Sequence, residues 1–187
     1  MKIPKSNGGP SVPAGFHRAN LQALVDLGIQ PSVKFAPRHE LLLVFELADQ
    51  TRDDGTPLDV SARVTLSANK KATLRKWLES WRGAPFKSDN EATDLDLATL
   101  VGKPVFVQTV QNESGDRVYT NVTNLAPIPA GMEKPVLKGK PIVYDPSRED
   151  AEEVRSQLPE WIYKRLQNQI VKDDIVDEGP DLSDVPF

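Results

Sequence analysis

Apolar and polar residues alternate with a period of two through most of the first 125 positions. The cleanest run is Leu58 to Leu66. Leu58, Val60, Ala62, Val64 and Leu66 alternate there with Asp59, Ser61, Arg63 and Thr65, as in a strand with one face on a core and the other in water. Phe16 to Leu27 follows the same rule. Ala19, Leu21, Ala23, Val25 and Leu27 share one face, Phe16, Arg18, Asn20 and Gln22 the other, and Gly28 ends the strand. In Glu40 to Leu47, Leu41, Leu43, Phe45 and Leu47 share a face, but Leu42 and Val44 are apolar too. That pattern predicts a central strand covered on both sides. The stretch before it, Val33 to His39, reads as a loop or edge, because Pro37 cannot donate to a ladder. Asp53-Asp54-Gly55 supplies a hairpin turn. Lys103 to Gln111 and Arg117 to Leu125 give a fourth and a fifth strand, joined by the turn Glu113-Ser114-Gly115-Asp116.

Between the third and fourth strands the period changes. From Ala72 to Arg82, Leu74, Trp77, Leu78 and Trp81 fall at i, i+3, i+4 and i+7, one buried stripe of a helix. Ser67 or Asn69 is placed to cap it and Gly83 to stop it. The spacing assigns both tryptophans to core packing. Lys70, Lys71, Arg75, Lys76 and Arg82 cover much of the remainder, either as a solvated face or as a face for anions. Asp94 to Val101 reads as a short helix closing at Gly102. Three strands, a helical insertion and two strands predict a mainly β protein, an OB-fold-like five-stranded barrel. A β-sandwich of similar order is the competing architecture.

The expected organisation has five parts. Residues 1–14, with Gly8-Gly9-Pro10 and Pro13, form a flexible leader, and 15–128 the OB-like domain. Residues 129–146 form a Pro/Gly linker, and 147–171 a helical segment capped by Ser147 and interrupted by Pro159. In the second helix of that segment Trp161, Ile162, Leu166 and Ile170 make an apolar stripe. It must be buried against the barrel or against a second subunit, which leaves a homo-oligomer open. Residues 172–187 are an acidic tail with too little apolar content to fold alone.

Composition narrows the function. There are no cysteines, which removes disulfides, thiolate metal sites and cysteine nucleophiles and suits a reducing cytoplasm. No apolar run reaches the roughly 18 residues of a membrane span, and Met1-Lys2-Ile3-Pro4-Lys5 lacks the apolar segment of a signal peptide. A net charge of −4 argues against nucleic-acid binding until its distribution is considered. Residues 172–187 hold six acidic residues and one basic one, whereas residues 1–140 hold 18 basic and 15 acidic. A mildly basic body with an acidic tail is a cue for nucleic acid.

No catalytic constellation is apparent, and no enzyme, cofactor or metal site is expected. His17 and His39 have no ligand spacing, and Gly8-Gly9 lacks the Gly-Lys-Ser/Thr end of a phosphate loop. Capping and solvation account for Asp94 and Asp96. Binding of single-stranded DNA needs only cations to follow phosphates and rings to stack on bases. Phe16, Arg18, Arg63 and Tyr119 occupy outward strand positions. Lys34, Phe35, Arg38, Lys87 and Arg117 fall in or beside loops, and Arg75, Lys76 and Arg82 on the helix. Phe45 and Phe106 are assigned to the core.

The tail closes on Ser183-Asp184-Val185-Pro186-Phe187, preceded by Asp181. A solubilising tail needs charge alone. A docking tail adds a ring to fill a pocket, with carboxylates to steer it toward a basic rim. This tip resembles the acidic C-terminal tip of bacterial single-stranded-DNA-binding proteins, which ends Asp-Asp-Ile-Pro-Phe. Ser183 departs from the pattern, where the family usually has a further Asp. Leu74 to Gly83, followed by Phe86, is similar to a stretch of phage proteins found beside replication and recombination genes. The resemblance implies a phage-type protein in the host cytoplasm that coats single-stranded DNA without sequence preference. It also implies that Asp181, Asp184, Val185, Pro186 and Phe187 recruit replication or repair enzymes. The alternative is an adaptor or inhibitor that uses the same tip to mimic the host protein and binds no DNA.

Overall fold

The structure is a computed structural model that describes residues 11–170. The tip residues Asp181, Asp184, Val185, Pro186 and Phe187 lie outside the described residues, as does most of the leader. The elements run β1 (Gly15–Gln30), β2 (Arg38–Thr51), β3 (Pro57–Thr65), α1 (Thr73–Arg82), α2 (Asp89–Thr93), a 3₁₀ turn (Leu97–Leu100), β4 (Pro104–Ser114), β5 (Arg117–Ala126), β6 (Ile142–Tyr144), α3 (Ala151–Ser156) and α4 (Glu160–Gln167). The fold is mainly β. Five strands join antiparallel in the order β3-β2-β1-β4-β5, and β6 pairs with β1 in parallel. β3 and β5, the outer strands of that order, come near each other and both lie against α1. Among the described residues no ladder joins them.

β1 departs from simple alternation. Its pairing with β2 shifts between Leu21 and Ala23, and one extra residue sends later side chains to the opposite face. Ala19, Leu21 and Leu24 therefore enter the main core, while Ala23, Val25 and Leu27 enter a second one. The single face expected from Ala19 to Leu27 is in fact two. The strand also runs past Gly28, whose positive φ sits at a second register shift.

The main core takes Leu41, Leu43, Phe45 and Leu47 from β2, Leu58, Val60 and Val64 from β3, and Val105, Val107, Val122 and Leu125 from β4 and β5. Leu66 lies past the end of β3 and stays exposed. α1 covers this core with Leu74 and Trp77, and Leu78 and Trp81 pack at its margin. The Trp77 indole donates to the Thr123 carbonyl at 3.1 Å, and that of Trp81 to the Pro104 carbonyl at 3.0 Å. Both rings thus bury apolar area and fix the helix to β5 and β4. No side chain caps α1. Asn69 instead accepts from the Lys71 amide at 2.9 Å one turn earlier, and Gly83 closes the helix at φ +76. Of the helix expected over Asp94 to Val101, only the 3₁₀ turn forms, capped by Asp96.

The second core explains why β2 is apolar on both faces. Leu42 and Val44 meet Ala23, Val25 and Leu27, and are covered by Tyr144, Leu158, Ile162 and Leu166. The C-terminal stripe is therefore buried against this chain's own sheet. Its members Leu158, Ile162 and Leu166 recur every four residues, one row along α4 and the turn before it, whereas Trp161 faces outward.

The stretch expected to be a linker is fastened to the sheet. The Glu46 carboxylate, 5% exposed, accepts the Lys138 and Gly139 amides at 2.7 Å each. The Asn20 carboxamide donates to the Pro135 carbonyl at 3.1 Å. β6 then pairs with Ala23–Val25, beyond the point where β4 leaves β1. Ser147 caps no helix: its amide and hydroxyl bond to Asp145 Oδ1, and α3 begins at Ala151.

Candidate nucleic-acid interface

A groove of about 1250 Å³ opens between the outward positions of β3, the middle of β5 and the turn entering α1. Arg38, Arg63, Lys71 and Arg165 line it, with Tyr119 on one wall and Trp77 in its floor. No carboxylate is among its lining residues, and the remaining polar groups are hydroxyls and amides such as Ser61, Thr65, Asn69 and Asn121.

Each element delivers its residues for a local reason. Alternation along β3 sends Val60 and Val64 inward and leaves Arg63 and Thr65 on the groove. The same period brings Tyr119 and Asn121 to it from β5. Arg38 opens β2, opposite Gln30 at the end of β1. The buried Gln30 side chain donates to the Arg165 backbone carbonyl at 3.4 Å, and docking of α4 on the second core brings Arg165 to the groove.

The lining holds four cations and no carboxylate, but one acid reaches it from outside. Arg63 pairs with Glu40 at 2.6 Å. Burial, and then the like charge of Arg63, lower the pKa of Arg165 from its usual value, although a guanidinium remains cationic across the physiological range. Arg38 lies over the Phe35 ring at 4.6 Å, and Phe35 is 62% exposed. The arrangement offers fixed cations for phosphates and an exposed phenol ring on which a base can stack.

Of the residues expected to bind DNA, the fold gathers Arg38, Arg63 and Tyr119 here. Others are committed elsewhere. Arg75 is 3% exposed and is held by Asp89 at 2.6 Å, Glu79 at 3.1 Å and the Ala68 carbonyl at 2.8 Å. It braces the loop after α1 and has no access to a strand of DNA. Arg18 binds the Asp49 carboxylate and the Glu133 carbonyl. Arg82 pairs with Glu91 at 2.6 Å and lies over Phe86. Phe16 is exposed but stacks on Phe106, centroids 5.4 Å apart, so Phe106 is not the core residue expected. Lys34, Lys76, Lys87 and Arg117 are exposed and do not line the groove.

Lys71, Asn121 and Arg165 were not foreseen. Lys71 had only its place among the basic residues before α1, and Arg165 carries no local signal, because a helix distant in sequence supplies it. A second cavity of about 830 Å³ runs along the C-terminal half of α1 and is largely apolar, with Trp81, Phe86 and Leu95 in its walls. His17 is buried and bonded to the Pro13 carbonyl and the Thr109 hydroxyl, and His39 meets Asp26 at 2.6 Å. Among the described residues no three His, Asp or Glu side chains are grouped to hold a metal ion, and no helix is long and apolar enough to cross a membrane. No protein-family model matches the sequence, and no curated protein matches it.

Proposed function

We propose that the protein binds single-stranded DNA without sequence preference, in the groove between β3, β5 and α1. The observation that carries this reading is the convergence of Arg38, Arg63, Lys71 and Arg165 with an exposed Tyr119 in a groove whose lining holds no carboxylate. Phosphates follow the cations and bases stack on the ring, a combination that tolerates any sequence. The sheet supports the reading. Its order β3-β2-β1-β4-β5, with α1 between β3 and β4 and against both outer strands, is consistent with an OB-like fold, which binds nucleic acid across one face and its loops. On this reading the tip Asp184-Val185-Pro186-Phe187 recruits replication or repair enzymes.

Fluorescence anisotropy of a labelled oligo-dT, at two salt concentrations and against duplex competitor, tests the proposal. Binding that weakens steeply with salt and discriminates against duplex is expected. Arg63→Ala and Tyr119→Ala should each weaken it. Deleting residues 179–187 should leave affinity equal or tighter and abolish partner capture. Absence of binding at low salt overturns the DNA reading and leaves the adaptor reading, in which the tip alone acts.

A further inference from the structure

We propose that α4 is a second wall of this groove and that Trp161 is a stacking platform for a base of the bound strand. The inference rests on the single-strand reading above and extends it to a segment whose only expected role was packing. The rotation of α4 is set by its buried row. With Leu158, Ile162 and Leu166 in the second core, Trp161 is turned outward and is 40% exposed. The other two tryptophans are instead packed against the main core, and each donates its indole N–H to a backbone carbonyl.

Arg165 joins the indole to the groove. Its guanidinium lies 5.4 Å from the Trp161 ring centroid, while the same side chain lines the groove and feels the charge of Arg63. One face of the indole is thus occupied by a cation, and the ring keeps substantial exposure. The carboxylate beside it in sequence, Glu160, is paired with Lys164 at 2.7 Å. Phe35 and Arg38 repeat the arrangement: an exposed ring under an arginine that belongs to the groove. Two aromatic–arginine pairs beside a cationic groove suit a ligand that alternates negative charge with flat rings, which is the chemistry of a single strand. They do not suit a duplex, whose bases are stacked within it.

The test uses the full chain with oligo-dT. Trp161→Ala is expected to weaken binding about 5- to 150-fold, the range for removing one base–aromatic stack, and Trp161→Phe to restore most of it. Tyr163→Ala, on the same helix but beside Arg155 instead, should leave affinity unchanged. Tryptophan emission should be quenched by oligo-dT in the wild type and much less in Trp161→Phe. That comparison carries the test if the alanine variant fails to fold. Two outcomes overturn the inference while sparing the DNA reading. One is a wild type that binds and is weakened by Arg63→Ala, with Trp161→Ala within twofold of it and equal quenching in Trp161→Phe. The other is a Trp161→Ala protein with altered oligomeric state and unaltered affinity, which makes the ring a protein contact. A wild type that does not bind at low salt removes the DNA reading itself.

Discussion

α1 contributes to two cavities of similar scale and opposite character. Its N-terminal half borders a groove lined by four basic side chains and no carboxylate, where Arg63 alone of the four forms an ion pair among the described residues, with Glu40 outside the lining. Its C-terminal half borders a largely apolar cavity in whose lining Arg82 is neutralised by Glu91, while Arg75, in the first turn of the helix, lines neither and is enclosed by Glu79 and Asp89. Both sides are rich in basic residues. What separates them is how many of the cations meet an acid after folding, so a count of lysines and arginines on a helix does not identify an anion site.

The largest effect expected on this contrast comes from Trp77, the largest of the side chains shared by the groove lining and the main core. Trp77→Ala should cost about 3–5 kcal/mol of stability, read from the urea midpoint, and loosen the groove with it. Next is the double change Arg63→Ala with Arg165→Ala. It should lower the slope of log affinity against log salt by about 0.7 for each phosphate that is no longer neutralised. Stability should barely move, since the Arg63–Glu40 pair is partly exposed and worth about 0–1 kcal/mol. Arg75→Met should do the reverse, lowering the melting temperature and leaving oligo-dT affinity intact.

That third variant also carries a pH signature. The Arg75 guanidinium is the main cause holding the Asp89 and Glu79 carboxyls below their usual range. Depressed carboxyls stabilise the fold above their unfolded-state pKa, and this contribution fades as pH falls through it, near 4, toward the lower folded values. The wild-type melting temperature should therefore drop more between pH 6 and pH 3, measured by calorimetry, than that of Arg75→Met. The smallest effect is expected from Phe16→Ala. Removing the stack on Phe106 should cost about 0.5–1.5 kcal/mol, with DNA affinity within twofold of wild type.

Much of the fold was legible because β-periodicity is local. β3 from Leu58 to Thr65, the hairpin at Gly115 and α1's stripe all read directly from spacing. Features that depend on partners distant in sequence did not. Nothing around Gln22 announces the register shift that divides β1 between two cores. β6 is three residues in a proline-rich stretch, and the segment before it is held at Lys138 by a glutamate 92 positions earlier. For the site, outward positions on β3 and β5 were readable, hence Arg63 and Tyr119. The misassignment of Arg75 had a partial signal in Glu79, four residues on, but Asp89 lies beyond the helix. Trp161 was misplaced by grouping it with Ile162. The row Leu158, Ile162, Leu166 already filled the inner face.

The three residues of β6 have a consequence out of proportion to their number. Where β4 leaves, the backbone amides and carbonyls of Ala23 to Val25 would otherwise form a bare hydrogen-bonding margin on an apolar strand, a template for another chain. β6 occupies it from within the same molecule, and the Glu46 carboxylate, by gripping Lys138 and Gly139, holds that guard in place. A buried acid that lines neither cavity thus helps to keep a sheet margin covered from within the chain.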